Sequence, residues 1–314
     1  MIFFGTPDFA DASLQQLLQT DHRVLAVVTQ PDRPKGRSKD PVPPPVKETA
    51  QQAGIPVFQP SNLREEKLLQ QLRSLQPDLA VVVAYGRILP AAVLQIFPRG
   101  AINLHASLLP KFRGAAPIQW ALIQGESETG VTLFQLDDQL DHGGILAQAR
   151  LPIYDNDTAI TLTEELSRLG NLTLLKTLER MSEETLRTYP QDESLASAAP
   201  RLTKADGIID WRQDCRRIHN RVRGVQPWPG ATTTLSGQPL KILSTTPDPS
   251  RHDPALAPGT IATADPAQGL WVQTGQGQIR IDRLQAAGGT DMETAPFLRG
   301  HPIPRGTILA SEPV

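Results

Sequence analysis

The chain has 314 residues, enough for about two domains at roughly 150 residues each. Hydrophobic residues make up 39% and charged residues 20%, which excludes a disordered chain. With 31 basic and 33 acidic side chains the net charge is −2, so any nucleic-acid contact must come from local basic patches and not from bulk charge.

Ile2-Phe3-Phe4 opens the chain as a short apolar run ending at Gly5, without the basic n-region of a secretory leader. Leu14, Leu17 and Leu18 follow at helical spacing, and Val24 to Val28 reads as the next buried strand. Gln30 to Lys47 stands apart, with six prolines and five basic residues against two acidic ones; a loop of this length in a compact domain is functional or disordered. Leu63, Leu68, Leu69, Leu72 and Leu75 mark a helix buried on one side, and Leu79 to Val83 a further strand. Leu79 to Phe97 is the most membrane-like stretch, but Gly86, Arg87 and Pro90 suit a strand turning into a helix better than a span. A cytoplasmic protein is expected. Apolar runs alternating with helices predict a Rossmann-like, mostly parallel α/β sheet, whose ligands bind beyond the carboxyl ends of its strands.

This domain is expected over residues 1–187. Residues 188–204 are polar and rich in small residues, and read as a linker. From 205 to 314 a helical stretch, Asp214 to Val222, precedes short strands at Ala231–Thr234, Leu240–Ile242, Gly259–Ile261, Leu270–Gln273 and Gln278–Ile281. That pattern predicts a small OB-like β-barrel. Cys215 is the only cysteine, so no disulfide framework exists, and no His-x-x-x-His pair occurs; no metal is expected.

Gly5-Thr6-Pro7-Asp8-Phe9-Ala10 sits where a dinucleotide fold carries Gly-x-Gly-x-x-Gly, but it has one glycine, and Pro7 removes a phosphate-binding N–H. A nicotinamide enzyme is disfavoured. Asn103 and His105 are more informative, since residues two apart in a strand face the same side. A carboxamide and a titratable ring then point together from a strand end, although a histidine bonded to a turn is the plainer alternative. Asp141, ahead of Gly143-Gly144, reads equally as a turn cap.

Asn103-x-His105, the following Ser107-Leu108-Leu109-Pro110-Lys111-x-Arg113-Gly114, and Asp141 resemble the folate-dependent formyltransferase family. Phe4-Gly5-Thr6-Pro7-Asp8-Phe9, Thr29-Gln30-Pro31-Asp32-Arg33-Pro34, Gly114-Ala115-Ala116-Pro117-Ile118-Gln119, Ile209-Asp210-Trp211 and Pro227-Trp228-Pro229-Gly230-Ala231 are similar to members acting on charged initiator tRNA. The resemblance covers nearly the whole chain. It implies transfer of the formyl group of 10-formyltetrahydrofolate, as co-substrate, to the α-amino group of methionine on initiator methionyl-tRNA, by a monomer. Asn103 and His105 are then expected to stabilise the oxyanion, with Asp141 helping to relay the proton. Folate contacts are expected from Ser107, Leu108, Leu109 and Pro110, and from Arg87, Ile88 and Leu89.

Two departures stand out. Where the family commonly reads Gly-Leu-Asp-Thr-Gly-Asp this chain has Gln139-Leu140-Asp141-His142-Gly143-Gly144, with His142 expected as a solvated loop histidine. Asp40 stands where a second lysine is common in the proline-rich loop. For tRNA, the loop residues Lys35, Arg37 and Lys39 are expected to make contacts. So are Arg212, Arg216 and Arg223, along one edge of a helix whose apolar face is Trp211, Cys215, Ile218 and Val222. The rival reading is a small-molecule formyltransferase acting on an amino sugar nucleotide or a glycinamide ribonucleotide. The basic loop and the C-terminal domain would be superfluous for so small an amine.

Overall fold

The computed structural model describes residues 1–34, 40–183 and 187–311. The chain folds into two compact units, each discontinuous in sequence. The first comprises Met1–Pro117, Glu128–Pro152 and Thr163–Pro200; the second comprises Ile118–Ser127, Ile153–Leu162 and Arg201–Val314.

The first unit contains β1 (Ile2–Gly5), α1 (Asp8–Leu17), β2 (Ala26–Val28), α2 (Pro45–Gln52), β3 (Val57–Phe58), α3 (Glu66–Ser74), β4 (Ala80–Val83), α4 (Ala91–Leu94) and β5 (Ala101–His105). It continues with β6 (Glu128–Gln135), β7 (Ile145–Pro152) and most of α6 (Ala159–Glu183); the first four residues of α6, and α5 (Pro117–Gln124) after Pro117, belong with the second unit. The sheet order is β7-β6-β5-β4-β1-β2-β3. The five strands β1 to β5 run parallel, and β6 and β7 add an antiparallel hairpin at one edge. Ile2, Phe4, Ala26, Val28, Ala80, Val82 and Ala101 line one face, where Leu68, Leu69 and Leu72 of α3 and Val93 of α4 cover them. The apolar runs are unbroken because helices bury both faces. Strand order reverses between β1 and β4, and such a reversal opens a crevice at the carboxyl ends of the strands.

The second unit adds α7 (Cys215–Gly224), β8 (Ala231–Leu235), β9 (Gln238–Asp248), β10 (Ile261–Asp265), β11 (Gly269–Gln273), β12 (Gln278–Ala286), α8 (Thr294–Gly300) and β13 (Leu309–Ala310). The antiparallel order is β10-β11-β12-β9-β8-β13. The sheet curls until its edges meet, with Ile261 N donating to Thr307 O at 2.8 Å and Leu309 N to Gly259 O at 2.9 Å. β9 runs well past the expected Leu240–Ile242. Irregular pairing at Ile242, Ser244 and Thr245 breaks the alternation that would have marked its second half.

The last boundary between the units falls between Pro200 and Arg201. Residues 153–162 belong with the barrel, where Arg223 Nη1 donates to Tyr154 O at 2.9 Å and Asp157 O at 3.2 Å. Residues 188–200 belong with the first unit. Among the described residues no helix is long and apolar enough to cross a membrane.

Candidate active site

Asn103 and His105 lie on one face at the carboxyl end of β5, one strand away from the strand-order reversal. His105 is buried, and its Nε2 lies 2.9 Å from Phe112 O. A carbonyl only accepts, so Nε2 carries a proton and donates it. The other ring nitrogen, Nδ1, lies 3.7 Å from Asp141 Oδ2. Asp141 is also buried, and its carboxylate accepts from Gly114 N at 2.8 Å. The half-buried Asn103 carboxamide is bonded to none of the described residues, which leaves its donors available to a substrate.

The loop after β5 is held from β6. Thr132, paired in register with His105, donates its hydroxyl to Ser107 O at 2.7 Å and accepts from Leu109 N at 3.0 Å. Gln148 Nε2 on β7 donates to the same hydroxyl at 3.0 Å and to Leu109 O at 2.8 Å. Ser107 is fully buried, with its own hydroxyl donating to Lys111 O at 2.7 Å, and Leu109 is buried as well. Leu108 and Pro110 remain partly open. Beyond β4, Leu89 joins the core while Ile88 is 63% exposed. Arg87 Nη1 donates to Ser61 O at 2.8 Å, which braces this second loop. The backbone N–H groups of Arg87, Ile88 and Leu89 donate to none of the described residues.

Residues 1–178 match the family described as Formyl transferase, and residues 201–302 match Formyl transferase, C-terminal domain. The chain belongs to the formyl transferase family. It is similar to the methionyl-tRNA formyltransferase of Trichlorobacter lovleyi, at 46% identity over 309 residues covering 98% of this chain and 96% of that one. The methionyl-tRNA formyltransferase of Moorella thermoacetica is 45% identical over 310 residues, covering 98% of each chain. Among solved structures, the N-formyltransferase from Helicobacter canadensis, in complex with folinic acid and dTDP-3-aminofucose, matches with a TM-score of 0.66. It is 19% identical, covering 89% of this chain and 97% of that one. HypX from Aquifex aeolicus in complex with tetrahydrofolic acid has a TM-score of 0.60 at 17% identity, covering 95% of this chain and 46% of that one. At those identities the likeness is one of fold.

In this formyl transferase the departures near Asp141 have visible partners. His142, partly exposed on its loop, has acidic neighbours: its Nδ1 lies 2.7 Å from Asp137 Oδ2, and its Nε2 3.5 Å from Glu193 Oε1. Arg113 grips Glu193 with two nitrogens, at 2.7 and 2.9 Å, and holds that carboxyl below its ordinary range. Gly144 leaves room for Thr188, since a Cβ there would stand 2.6 Å from the Thr188 Cβ.

The basic residues divide into three groups. Lys35, Arg37 and Lys39 lie outside the described residues. Arg212, 84% exposed, and Arg216 lie at the surface, paired with Asp210 and Asp155. Arg223 corrects the expectation of a shared edge: it is buried, and its guanidinium is spent on Asn220 Oδ1, Tyr154 O and Asp157 O. Helical angle alone put it beside Arg212; residues 154–157 cover that edge. Sequence reasoning also missed Thr132, Gln148 and Gln191. Thr132 does carry a signal, as a hydroxyl within the apolar run Val131 to Phe134 whose burial requires partners.

Proposed function

We propose that this protein transfers the formyl group of 10-formyltetrahydrofolate to the α-amino group of methionine on initiator methionyl-tRNA. The observation that carries the reading is the constellation at the end of β5: a carboxamide bonded to none of the described residues, beside an oriented imidazole that faces a buried carboxylate. Identity near 45% over almost the full length of methionyl-tRNA formyltransferases supports the substrate.

A flat pterin fits the two loops beyond β4 and β5, where the backbone N–H groups of Arg87, Ile88 and Leu89 donate to none of the described residues, Ile88 is exposed and Leu108 is partly open. Bound there, the folate supplies the formyl carbon. Attack by the amine puts negative charge on the formyl oxygen, and the Asn103 amide is a preplaced donor for it. Nε2–H bonding to Phe112 O leaves the Nδ1 lone pair of His105 to take a proton from the methionyl ammonium. A proton held there sits beside the Asp141 carboxylate, and the resulting imidazolium adds positive charge near the oxyanion. The attacking nitrogen gives up a second proton to the folate nitrogen as the carbon–nitrogen bond to the formyl group breaks. No covalent enzyme intermediate is needed. Arg212 and Arg216 are suited to tRNA phosphates, because exposed pairs with aspartate are worth about 0–1 kcal/mol and exchange readily.

The test is formyl transfer from labelled donor to methionyl initiator tRNA, a methionyl elongator tRNA, glycinamide ribonucleotide and an amino sugar nucleotide. Transfer to the initiator tRNA alone is expected. Efficient transfer to a small amine would overturn the reading in favour of the small-molecule alternative.

A further inference from the structure

Residues 188–199, part of the 188–204 stretch that reads as a linker, form part of the catalytic wall. Tyr189 exchanges two backbone hydrogen bonds with Ile145, at 2.7 and 2.9 Å. Ser197 accepts from Phe112 N at its hydroxyl (2.9 Å) and from Arg113 N at its carbonyl (2.8 Å). Ala198–Ala199 then pairs in parallel with Arg113–Gly114. The segment thus supports both the Asp141 loop and the stretch that contacts His105 and Asp141.

Gln191 is the side chain that ties the two together. Its Nε2 donates to Asp141 O and to Gly143 O, each at 2.9 Å. Its Oε1 accepts from Arg113 Nε at 3.1 Å and Nη2 at 2.7 Å. Both amide hydrogens and the amide oxygen are used, so the orientation of the group is determined. Asp141 needs such support. Its φ of 49° lies in the left-handed region, which is uncommon for non-glycine residues and which an aspartate keeps through hydrogen bonds with its neighbours.

We propose that Gln191 is a positioning residue: its amide holds the backbone of Asp141 so that the carboxylate stands against Gly114 N and the His105 ring. The proposal rests on the functional reading above, because it assigns Asp141 a part in the reaction.

Two variants separate positioning from simple bracing. Gln191→Ala removes every contact. Gln191→Glu keeps the size and still accepts from Arg113, but it has no hydrogens for the two carbonyls. Both are expected to lower kcat by about 10- to 100-fold while KM for either substrate stays within about threefold. In an Asp141→Asn background, Gln191→Glu should add almost nothing. Hydrogen exchange at Gly114 N–H should accelerate at least about tenfold in Gln191→Glu, while exchange in β4 and β5 stays unchanged. Wild-type kcat in Gln191→Glu, an undiminished effect in the Asp141→Asn background, or unaltered Gly114 exchange would each overturn the proposal. A wild-type protein inactive on methionyl-tRNA would instead count against the functional reading, and the exchange measurement would still decide this one.

Discussion

The Gly114 N–H donates to Asp141 Oδ2 at 2.8 Å, and it does so from a backbone conformation that residues with a side chain rarely adopt. Gly114 has φ 127°, and a Cβ at this position would stand 2.6 Å from Ala199 O. The Asp141 carboxylate is therefore oriented by a residue that has no side chain. Gly114→Ala should cost about 1–3 kcal/mol of stability through backbone strain. It should also lower kcat about tenfold or more by displacing the donor. Urea denaturation and steady-state formylation check the two effects, and wild-type kcat in the folded variant would contradict the second.

Asn103→Ala, His105→Ala and Asp141→Ala are each expected to reduce kcat by about 10²- to 10⁴-fold, the usual worth of an oxyanion donor or a general base. Circular dichroism should remain native. A folded variant with near-normal turnover would remove its residue from the reaction.

Thr132→Val replaces the hydroxyl that joins Ser107 O, Leu109 N and Gln148 by a methyl group of similar size. Two donors lose their acceptor, and a buried donor left unsatisfied costs about 1–3 kcal/mol. The Ser107–Leu109 loop should loosen and KM for the formyl donor should rise, with Thr132→Ser restoring both. If Thr132→Val leaves the stability and that KM unchanged, the hydroxyl does not hold the loop.

The arginines of the second unit should separate by burial. Arg223→Ala leaves Tyr154 O and Asp157 O without a partner and should destabilise by about 1–3 kcal/mol. Arg212→Ala should leave stability unchanged but weaken tRNA binding, lowering the log–log salt slope by about 0.7–0.9. Thermal melts and filter binding over a salt series distinguish the two. A stability loss in Arg212→Ala, or an unchanged slope, would contradict the assignment.

His219 is buried, with Nδ1 3.0 Å from Thr245 Oγ1 and Nε2 3.0 Å from Asp155 O. Burial, more than the nearby Arg223 and Arg216, holds its pKa below the ordinary 6.5, against the raising effect of the Asp155 carbonyl and carboxylate. Below about pH 6.5 the unfolded chain binds a proton that the folded chain does not, so stability falls as pH falls toward the folded value. Tm should drop between pH 7 and 5, and His219→Gln should flatten that drop. Parallel profiles for the two proteins would exclude His219 as the source.

Parts of the site are legible in the chain because they are local. Asn103 and His105 share a face by strand geometry alone, and the apolar runs around them specify a sheet buried on both sides. Asp141 is harder, since nothing in Gln139 to Gly144 says whether its carboxylate caps a turn or faces a histidine. Gln191 is not legible at all. It lies among small and polar residues without periodicity, and its amide nitrogen donates to two backbone carbonyls about fifty positions earlier. Arg223 misleads for the same reason, since helix angle gives its direction but not the carbonyls that cover it.

The family, the order of strands and helices, and the residue types available for formyl transfer can all be read along the chain. They follow from periodicities of two and 3.6 residues and from motifs a few residues long. Three outcomes emerge only once the chain is folded: residues 188–200 brace the Asp141 loop, residues 153–162 join the barrel unit, and Arg212 stays at the surface while Arg223 is buried. Each depends on backbone carbonyls and N–H groups, which nearly every residue carries alike. Only folding determines which of them a side chain meets.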